Sequence, residues 1–173
     1  MEIDTEICTL LSDTAGAAKA DLTWSKTLPV GVSKAEHYEG FTEIIENARR
    51  DIYKATKKFA PNYMLISPDV LPVLTFIKGF TAAPAGQING PYFAGTLNSL
   101  KVFVSPSMAD GEFCVGVNGS DMMSSVAVYA PYMAVVPTML IQGPDGGTAQ
   151  GWSTMYDLKV LNPRLIVKGK IVA

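Results

Sequence analysis

The sequence predicts an α+β fold, in which a long amphipathic helix is followed by a strand-rich region. Two observations support this assignment. Apolar residues recur at helical spacing over residues 38–59. Residues 61–172 instead contain short apolar runs separated by Gly, Pro and Asn turn signals. A chain of 173 residues is long enough to bury a real core in one domain or in two closely packed lobes.

Charge is distributed very unevenly along the chain. Charged residues make up 17% of the sequence, below the roughly 25% of a typical soluble domain. Most lie in residues 1–60 or after residue 156, and residues 61–156 hold only Asp69, Lys78, Lys101, Asp110, Glu112, Asp121 and Asp145. We predict that this charge-poor region forms a surface covered by other subunits. A well-packed lobe with a Ser, Thr and Asn surface is the alternative.

The first helix is predicted over residues 2–20, where Ile3, Ile7, Leu10 and Leu11 recur at helical spacing. Because the chain begins inside this helix with no capping residue, we expect natural sequence upstream of Met1. Residues 21–32 follow as an extended, irregular segment that contains Pro29 and Gly31.

The strongest helix prediction covers residues 38–59. Three glutamates crowd its start and three lysines its end, as the helix dipole favours. Glu46 and Arg50 form a favourable i,i+4 pair, and Pro61 is expected to end the helix. Its apolar stripe consists of Phe41, Ile44, Ile45, Ala48, Ile52, Ala55 and Phe59.

The region after this helix alternates strands and turns. Residues 63–66 form an apolar strand, after which Ser67 is expected to cap a short helix that stops at Gly79. Residues 81–95 are rich in Ala, Gly and Pro and are predicted to be a loop. The later predicted strands are 100–104, 113–117, a segment at 125–141 that Pro131 and Pro137 bend or confine to a sheet edge, and two segments at 152–172 separated by Asn162-Pro163.

No catalytic or cofactor site is predicted. His37 is the only histidine and is expected to be a surface or capping residue. Cys8 and Cys114 form no CxxC pair and are expected to be reduced and buried. The glutamates at the start of the long helix and the basic residues at its end (Arg49, Arg50, Lys54, Lys57, Lys58) are typical of helix termini. We expect no enzyme activity, no metal and no cofactor.

Met122, Met123, Tyr129 and Tyr132 lie in a charge-poor strand region and are predicted subunit-interface residues. Methionine and aromatic side chains are enriched at the centres of protein interfaces. Packing in the core of the chain itself explains these residues equally well.

From residue 36 to residue 172 the order of elements resembles the major capsid proteins of tailed bacteriophages, especially the T-even-like branch. The resemblance rests on the long helix, on Asn62-Tyr-Met-Leu-Ile-Ser-Pro-Asp-Val-Leu-Pro-Val-Leu74, on Gly95-Thr-Leu-Asn-Ser-Leu-Lys-Val-Phe-Val-Ser-Pro-Ser-Met108 and on Ser125-Val-Ala-Val-Tyr-Ala-Pro-Tyr132. Family members are usually longer at the front, so the resemblance implies a truncated or N-terminally shortened form.

The resemblance implies a long spine helix, here residues 38–59, packed on a peripheral β-sheet with an inserted axial α/β lobe. Residues 1–60 and 130–173 would form the peripheral domain, and residues 61–129 the axial domain. The resemblance also implies a structural protein that self-assembles into pentamers and hexamers of an icosahedral shell enclosing DNA.

The expected partners are copies of the chain itself, together with scaffolding or decoration proteins. Nucleic acid would be enclosed without sequence-specific binding, and no membrane contact is expected. The expected location is the virion capsid of a phage or prophage, and the bacterial cytoplasm during assembly. Two alternatives stay open: an encapsulin-type shell or other phage structural protein of the tail or decoration class, and an α+β hydrolase.

Overall fold

A computed structural model of the chain describes residues 2–84 and 92–172, and its main element is a seven-stranded mixed sheet. The strand order is β1-β11-β6-β2-β5-β4-β3. These strands are β1 (Thr23–Ser25), β2 (Tyr63–Ile66), β3 (Phe80–Ala82), β4 (Tyr92–Leu97), β5 (Leu100–Val104), β6 (Glu112–Gly116) and β11 (Ile166–Val172). The predicted peripheral range and the predicted axial range both contribute strands to it, and the division into those two domains stays a prediction.

Four α-helices and three short 3-10 turns accompany the sheet in the described residues. The helices are α1 (Glu2–Ala15), α2 (Lys34–Glu39), α3 (Phe41–Thr56) and α4 (Leu71–Leu74). The 3-10 turns are Ala20–Leu22, Met122–Ser124 and Pro163–Leu165. No helix in this part of the chain is both long and apolar enough to cross a bilayer.

Helix α3 carries the predicted apolar stripe but is shorter than predicted. Phe41, Ile45, Ala48 and Ile52 are fully buried. The helix ends at Thr56 because Lys57 adopts a left-handed conformation with φ of 56°, so the expected end at Pro61 is wrong. Gly40 separates α3 from α2. The expected Glu46–Arg50 pair is also wrong: Arg49 donates to Glu46 at 2.9 Å, one residue earlier.

Helices α3 and α1 cover opposite faces of the sheet. The Phe41 ring of α3 packs edge-on against Phe113 of β6, with ring centroids 5.2 Å apart. On the other face, Cys114 follows Phe113 in β6 and pairs with Lys168 of β11, whose Nζ donates to Ser12 of α1 at 3.1 Å. Because successive strand residues point to opposite faces, the central strands are buried on both sides.

Two sequence-based assignments between α3 and β5 need correction. Ser67 does not cap a helix: it is fully buried and its Oγ accepts a hydrogen bond from the Gly111 amide at 3.1 Å. The predicted loop 81–95 is strand at both ends, where β3 pairs antiparallel with β4. Its middle, 85–91, lies outside the described residues.

A second substructure projects from the sheet as a two-stranded antiparallel ribbon. Strand β7 (Ala127–Pro137) pairs with β10 (Trp152–Val160), and a small hairpin of β8 (Ile141–Gln142) and β9 (Thr148–Ala149) forms its tip. We call residues 127–160 the hairpin arm. Pro131 and Pro137 both lie inside β7, as the prediction of a bent or edge strand required.

Candidate subunit interface

The hairpin arm exposes an unusual number of large apolar side chains. Tyr132 is 89% exposed and Met139 is 88% exposed, in a region whose only charge between Ala127 and Tyr156 is Asp145. The other large, exposed apolar residues of the arm are Tyr129, Val135, Val136, Leu140, Ile141, Trp152 and Met155. Together these residues expose on the order of 1,000 Å², distributed over both faces of the ribbon and its tip, whereas the largest apolar patch on a typical monomer is roughly 300–600 Å².

Met122 and Met123 extend this apolar character to the short turn that precedes the arm. Their exposed fractions are 69% and 79%. The turn is held by Ser124, whose Oγ accepts from the Asp121 amide at 3.2 Å and donates to the Asp121 carbonyl at 3.0 Å. Because the buried Ser124 side chain holds the backbone of this turn, the side chains of both methionines point to solvent.

Tyr129 and Tyr132 occupy different environments on the arm. The Tyr129 ring is 5.4 Å from the ring of Tyr156 on the facing strand, and Tyr129 is 42% exposed. Tyr132 is the more exposed of the two. The structure therefore places all four predicted interface residues at the surface and not in the core, which removes core packing as an explanation for them.

The segment that leads into the arm is tied to the sheet by an amide pair. The Asn62 side chain donates to the Asn118 carbonyl at 2.6 Å and accepts from the Asn118 amide at 2.8 Å. The Leu161 amide continues the ladder by donating to the Val126 carbonyl at 2.9 Å. These bonds anchor the arm where it leaves the body of the protein.

A cavity of about 360 Å³ lies between α1, one end of the sheet and the base of the arm. Apolar side chains dominate its lining, including Ile7, Leu11, Leu65, Phe103 and Leu158. It does not bring together a nucleophile, a base and an orienting partner of the kind that hydrolysis needs. The described lining therefore offers no support for the hydrolase alternative.

Ionisable groups that are at least partly buried in the body include two thiols, a tyrosine hydroxyl and one ion pair. Burial raises the pKa of the Cys114 thiol to about 12 and also raises the pKa of the Cys8 thiol, so both thiols stay protonated and unreactive. Burial likewise raises the pKa of the Tyr63 hydroxyl. Lys168 and Glu112 form an ion pair at 3.2 Å, with side chains only 13% and 15% exposed.

His37 contacts the neighbouring strand β1 through its ring. Its ring stacks on Trp24 with centroids 4.8 Å apart, and its Nε2 lies 2.9 Å from the Ser25 carbonyl oxygen. It joins α2 to β1. No group of three or more His, Cys, Asp or Glu residues in the described ranges 2–84 and 92–172 could hold a metal ion.

Most of the exposed apolar residues at and near the arm's tip were not predicted as interface residues. Met139 was noted among the methionines of the charge-poor region, but Leu140, Ile141, Trp152 and Met155 were attributed only to strands or connecting segments. The available signal was that these apolar residues flank the glycine-rich segment 143–147, where Asp145 is the only charged residue.

The sequence matches one family model and one curated relative. The model of the family described as "Major capsid protein Gp23" matches residues 1–169. The chain is also 28% identical over 142 residues to the major capsid protein of Vibrio phage KVP40, covering 74% of this chain. It spans only 27% of the length of that curated relative.

Two solved structures share the fold. A virus-like particle protein from Pyrococcus furiosus superposes with a TM-score of 0.58 over 97% of this chain and 63% of the other, at 12% identity. A protein of Mycobacterium phage Che8 does so with a TM-score of 0.56 over 95% of this chain and 58% of the other, at 15% identity. These likenesses confirm the predicted α+β class and capsid-type fold.

Proposed function

The chain belongs to the Gp23 major capsid protein family, and we propose on that premise that it is a structural component of a phage or prophage shell that assembles with copies of itself. Its location would be the virion capsid, and the bacterial cytoplasm during assembly. In the complete shell, scaffolding or decoration proteins would bind the same lattice, and the DNA inside would be enclosed without sequence-specific contacts.

The observation that carries this proposal is the exposed apolar surface of the hairpin arm together with Met122 and Met123. A stable interface buries about 800 Å² on each partner, and the exposed apolar area here is of that order. A surface of this kind is unfavourable on a monomer in water, because exposed apolar area costs about 25 cal/mol per Å². Covering it with other subunits removes that cost.

Symmetry explains how such contacts build a shell. An interface repeated around closed symmetry axes lets each contact be weak while the assembly as a whole is stable. Such an assembly needs little charge on the covered surfaces and no cofactor. A peripheral domain of residues 1–60 and 130–173 and an axial domain of residues 61–129 would then meet their copies around different axes.

The first test measures whether the chain associates. We expect the weight-average mass from multi-angle light scattering to rise with protein concentration, because the arm is covered only in the associated state. A strictly monomeric mass across the whole range would refute the proposal.

The second test locates the surface. Replacing Tyr132 with serine should raise the concentration needed for association roughly tenfold, since truncating an interface residue of this type costs about 1–2 kcal/mol. Replacing Met122 and Met123 together with serine removes two such residues and should raise it roughly a hundredfold. Val30→Ser is the matched control, because Val30 is fully exposed but lies outside both the arm and the Met122–Ser124 turn. Equal effects of all three changes would show that the loss is of general hydrophobicity and not of a specific interface.

A further inference from the structure

The two outer edges of the hairpin arm are not equivalent. The Leu161 amide bonds to the Val126 carbonyl, and the Thr138 amide bonds to the Gly151 carbonyl, which fixes the alternation of hydrogen-bonded pairs along the ribbon. Counting from these pairs, Pro131 opposite Tyr156 and Pro137 opposite Trp152 occupy non-hydrogen-bonded positions. An amide at such a position points away from the partner strand, so both prolines remove donors from the outer edge of β7.

The outer edge of β10 has no proline. By the same alternation, Leu158 and Val160 point their backbone N–H and C=O groups outward. No described residue is hydrogen-bonded to these groups. Helix α1 contacts this strand through side chains, with Leu158 facing Thr9 and Leu10 across a shallow pocket. Strand β10 is therefore an open edge on which another strand could add.

The side chains on β10 indicate which strand fits. Asp157 and Lys159 lie on the face opposite to Leu158 and make no ion pair among the described residues. Within the chain they stand opposite Ala130 and Val128, neither of which is charged. Their charges are thus uncompensated, two residues apart and of opposite sign.

We propose that β10 pairs antiparallel with β10 of a second copy about a two-fold axis at Leu158. Leu158 then lies opposite Leu158 of the second copy as a hydrogen-bonded pair, which uses the outward backbone groups. The same register places Asp157 opposite Lys159 of the second copy, and Lys159 opposite its Asp157. These are non-hydrogen-bonded pairs, where side chains approach most closely.

The register is determined by the sequence. Shifting it by one residue would place the outward groups of one copy against inward groups of the other, and shifting it by two would separate the opposite charges. The pairing is isologous, so every contact occurs twice. This inference rests on the proposed function and specifies one of its contacts, a four-stranded sheet of order β7-β10-β10-β7.

Charge exchange tests the pairing. Asp157→Lys places Lys opposite Lys159, and Lys159→Asp places Asp opposite Asp157, so each variant alone should weaken dimerisation roughly tenfold at low salt. An equimolar mixture of the two variants restores opposite charges at both positions and should dimerise as well as the wild type. Sedimentation velocity of each sample and of the mixture measures this. Variants that dimerise normally, or a mixture that fails to recover, would overturn the pairing.

Cysteine cross-linking tests the position of the axis. Two Leu158→Cys chains would have Cα atoms about 5.5 Å apart, which a disulfide can span. Two Lys159→Cys chains would have them about 7–8 Å apart, beyond that reach. We expect oxidation to link the first variant and not the second. Equal linking of both would refute the register.

The outcomes separate this pairing from the broader proposal. If the wild type associates but neither charge exchange nor cross-linking behaves as described, only the β10 pairing fails and shell assembly proceeds through other surfaces. If the wild type never associates, both fail.

Discussion

Gly169 offers the sharpest test of the sheet geometry from which the hairpin arm projects. It pairs with Phe113 across β11 and β6. A Cβ at this position would lie 2.2 Å from Cζ of Phe113 and 2.6 Å from the carbonyl oxygen of Leu22. Ordinary van der Waals contact would require the Phe113 ring to retreat by about 1 Å. It cannot do so freely, because it is fully buried and packs against Phe41.

Gly169→Ala should therefore destabilise the fold. Overpacking typically costs about 1–3 kcal/mol, and contact with a backbone oxygen places this case towards the upper limit. Replacing glycine in a strand returns about 0.5–1 kcal/mol of chain entropy. We expect a net loss of about 2 kcal/mol in the free energy of unfolding. Urea titration followed by tryptophan fluorescence measures it, with an unchanged m-value as the sign of two-state behaviour.

Gly147→Ala is the matched control, because a Cβ at Gly147 would have no atom within 4 Å. It should change the stability by less than about 0.5 kcal/mol. The Gly169→Ala and Phe113→Leu changes should also couple, since leucine lacks the offending ring atoms and the double variant should lose less than the sum. Equal stability of the Gly169 and Gly147 variants would refute the close approach of these strands.

Three other predictions follow from the body and the arm. Lys168→Met should cost about 2 kcal/mol in urea unfolding because it leaves the part-buried Glu112 carboxylate with only the Ser12 hydroxyl as a donor, and adding Glu112→Gln should recover part of that loss. Stability should fall as the pH rises from about 9 towards about 12, because the folded state retains the Cys114 proton that the unfolded chain releases; the slope, up to about 1.4 kcal/mol per pH unit, should diminish in Cys114→Ala. An undiminished slope would contradict this burial. Pro131→Thr should give larger, more heterogeneous assemblies in sedimentation velocity by restoring a donor to the outer edge of β7; a wild-type mass distribution would exclude that role.

Local patterns in the sequence predicted elements whose structure depends on nearby residues. The apolar stripe of α3 recurs every three or four residues, and burial of Phe41 and Ile52 follows from that spacing alone. Strand β2 is a continuous apolar run, as expected where a sheet is buried on both faces, and β5 departs from such a run only at the exposed Lys101. Pro131 and Pro137 likewise signalled an edge strand, because neither can donate to a ladder.

Features that depend on distant residues could not be predicted in the same way. Ser67 has the sequence context of a helix cap, but its Oγ binds the amide of Gly111, 44 residues away. Strands β3 and β4 were missed because the segment is rich in small residues. The structure shows why one of them is glycine: a Cβ at Gly95 would lie 2.2 Å from the Thr81 carbonyl oxygen of the neighbouring strand.

The candidate interface was predicted in part for a related reason. Composition alone showed that residues 61–156 contain few charged residues. In the structure this region divides into two parts, one buried in the sheet and one exposed on the arm. Residues 63–117 supply buried strands of the sheet, where low charge is a condition of packing. The arm supplies exposed strands, where packing does not require a low charge. Only the topology distinguishes these cases, since both regions are poor in charged residues.

The body and the arm differ in how completely their polar groups are hydrogen-bonded and their apolar side chains are buried. In the described part of the body, no buried side-chain oxygen or nitrogen lacks a hydrogen-bond partner, and helices close both faces of the sheet. The arm is a two-stranded ribbon, which is marginally stable in water unless something packs against it. Its apolar side chains face solvent, one edge is blocked by prolines, and the other retains open backbone groups beside Asp157 and Lys159. The body is thus stable by itself, whereas the arm keeps an apolar surface that another subunit can cover. Assembly from folded subunits requires this division, because association then covers the arm without having to fold the rest of the chain.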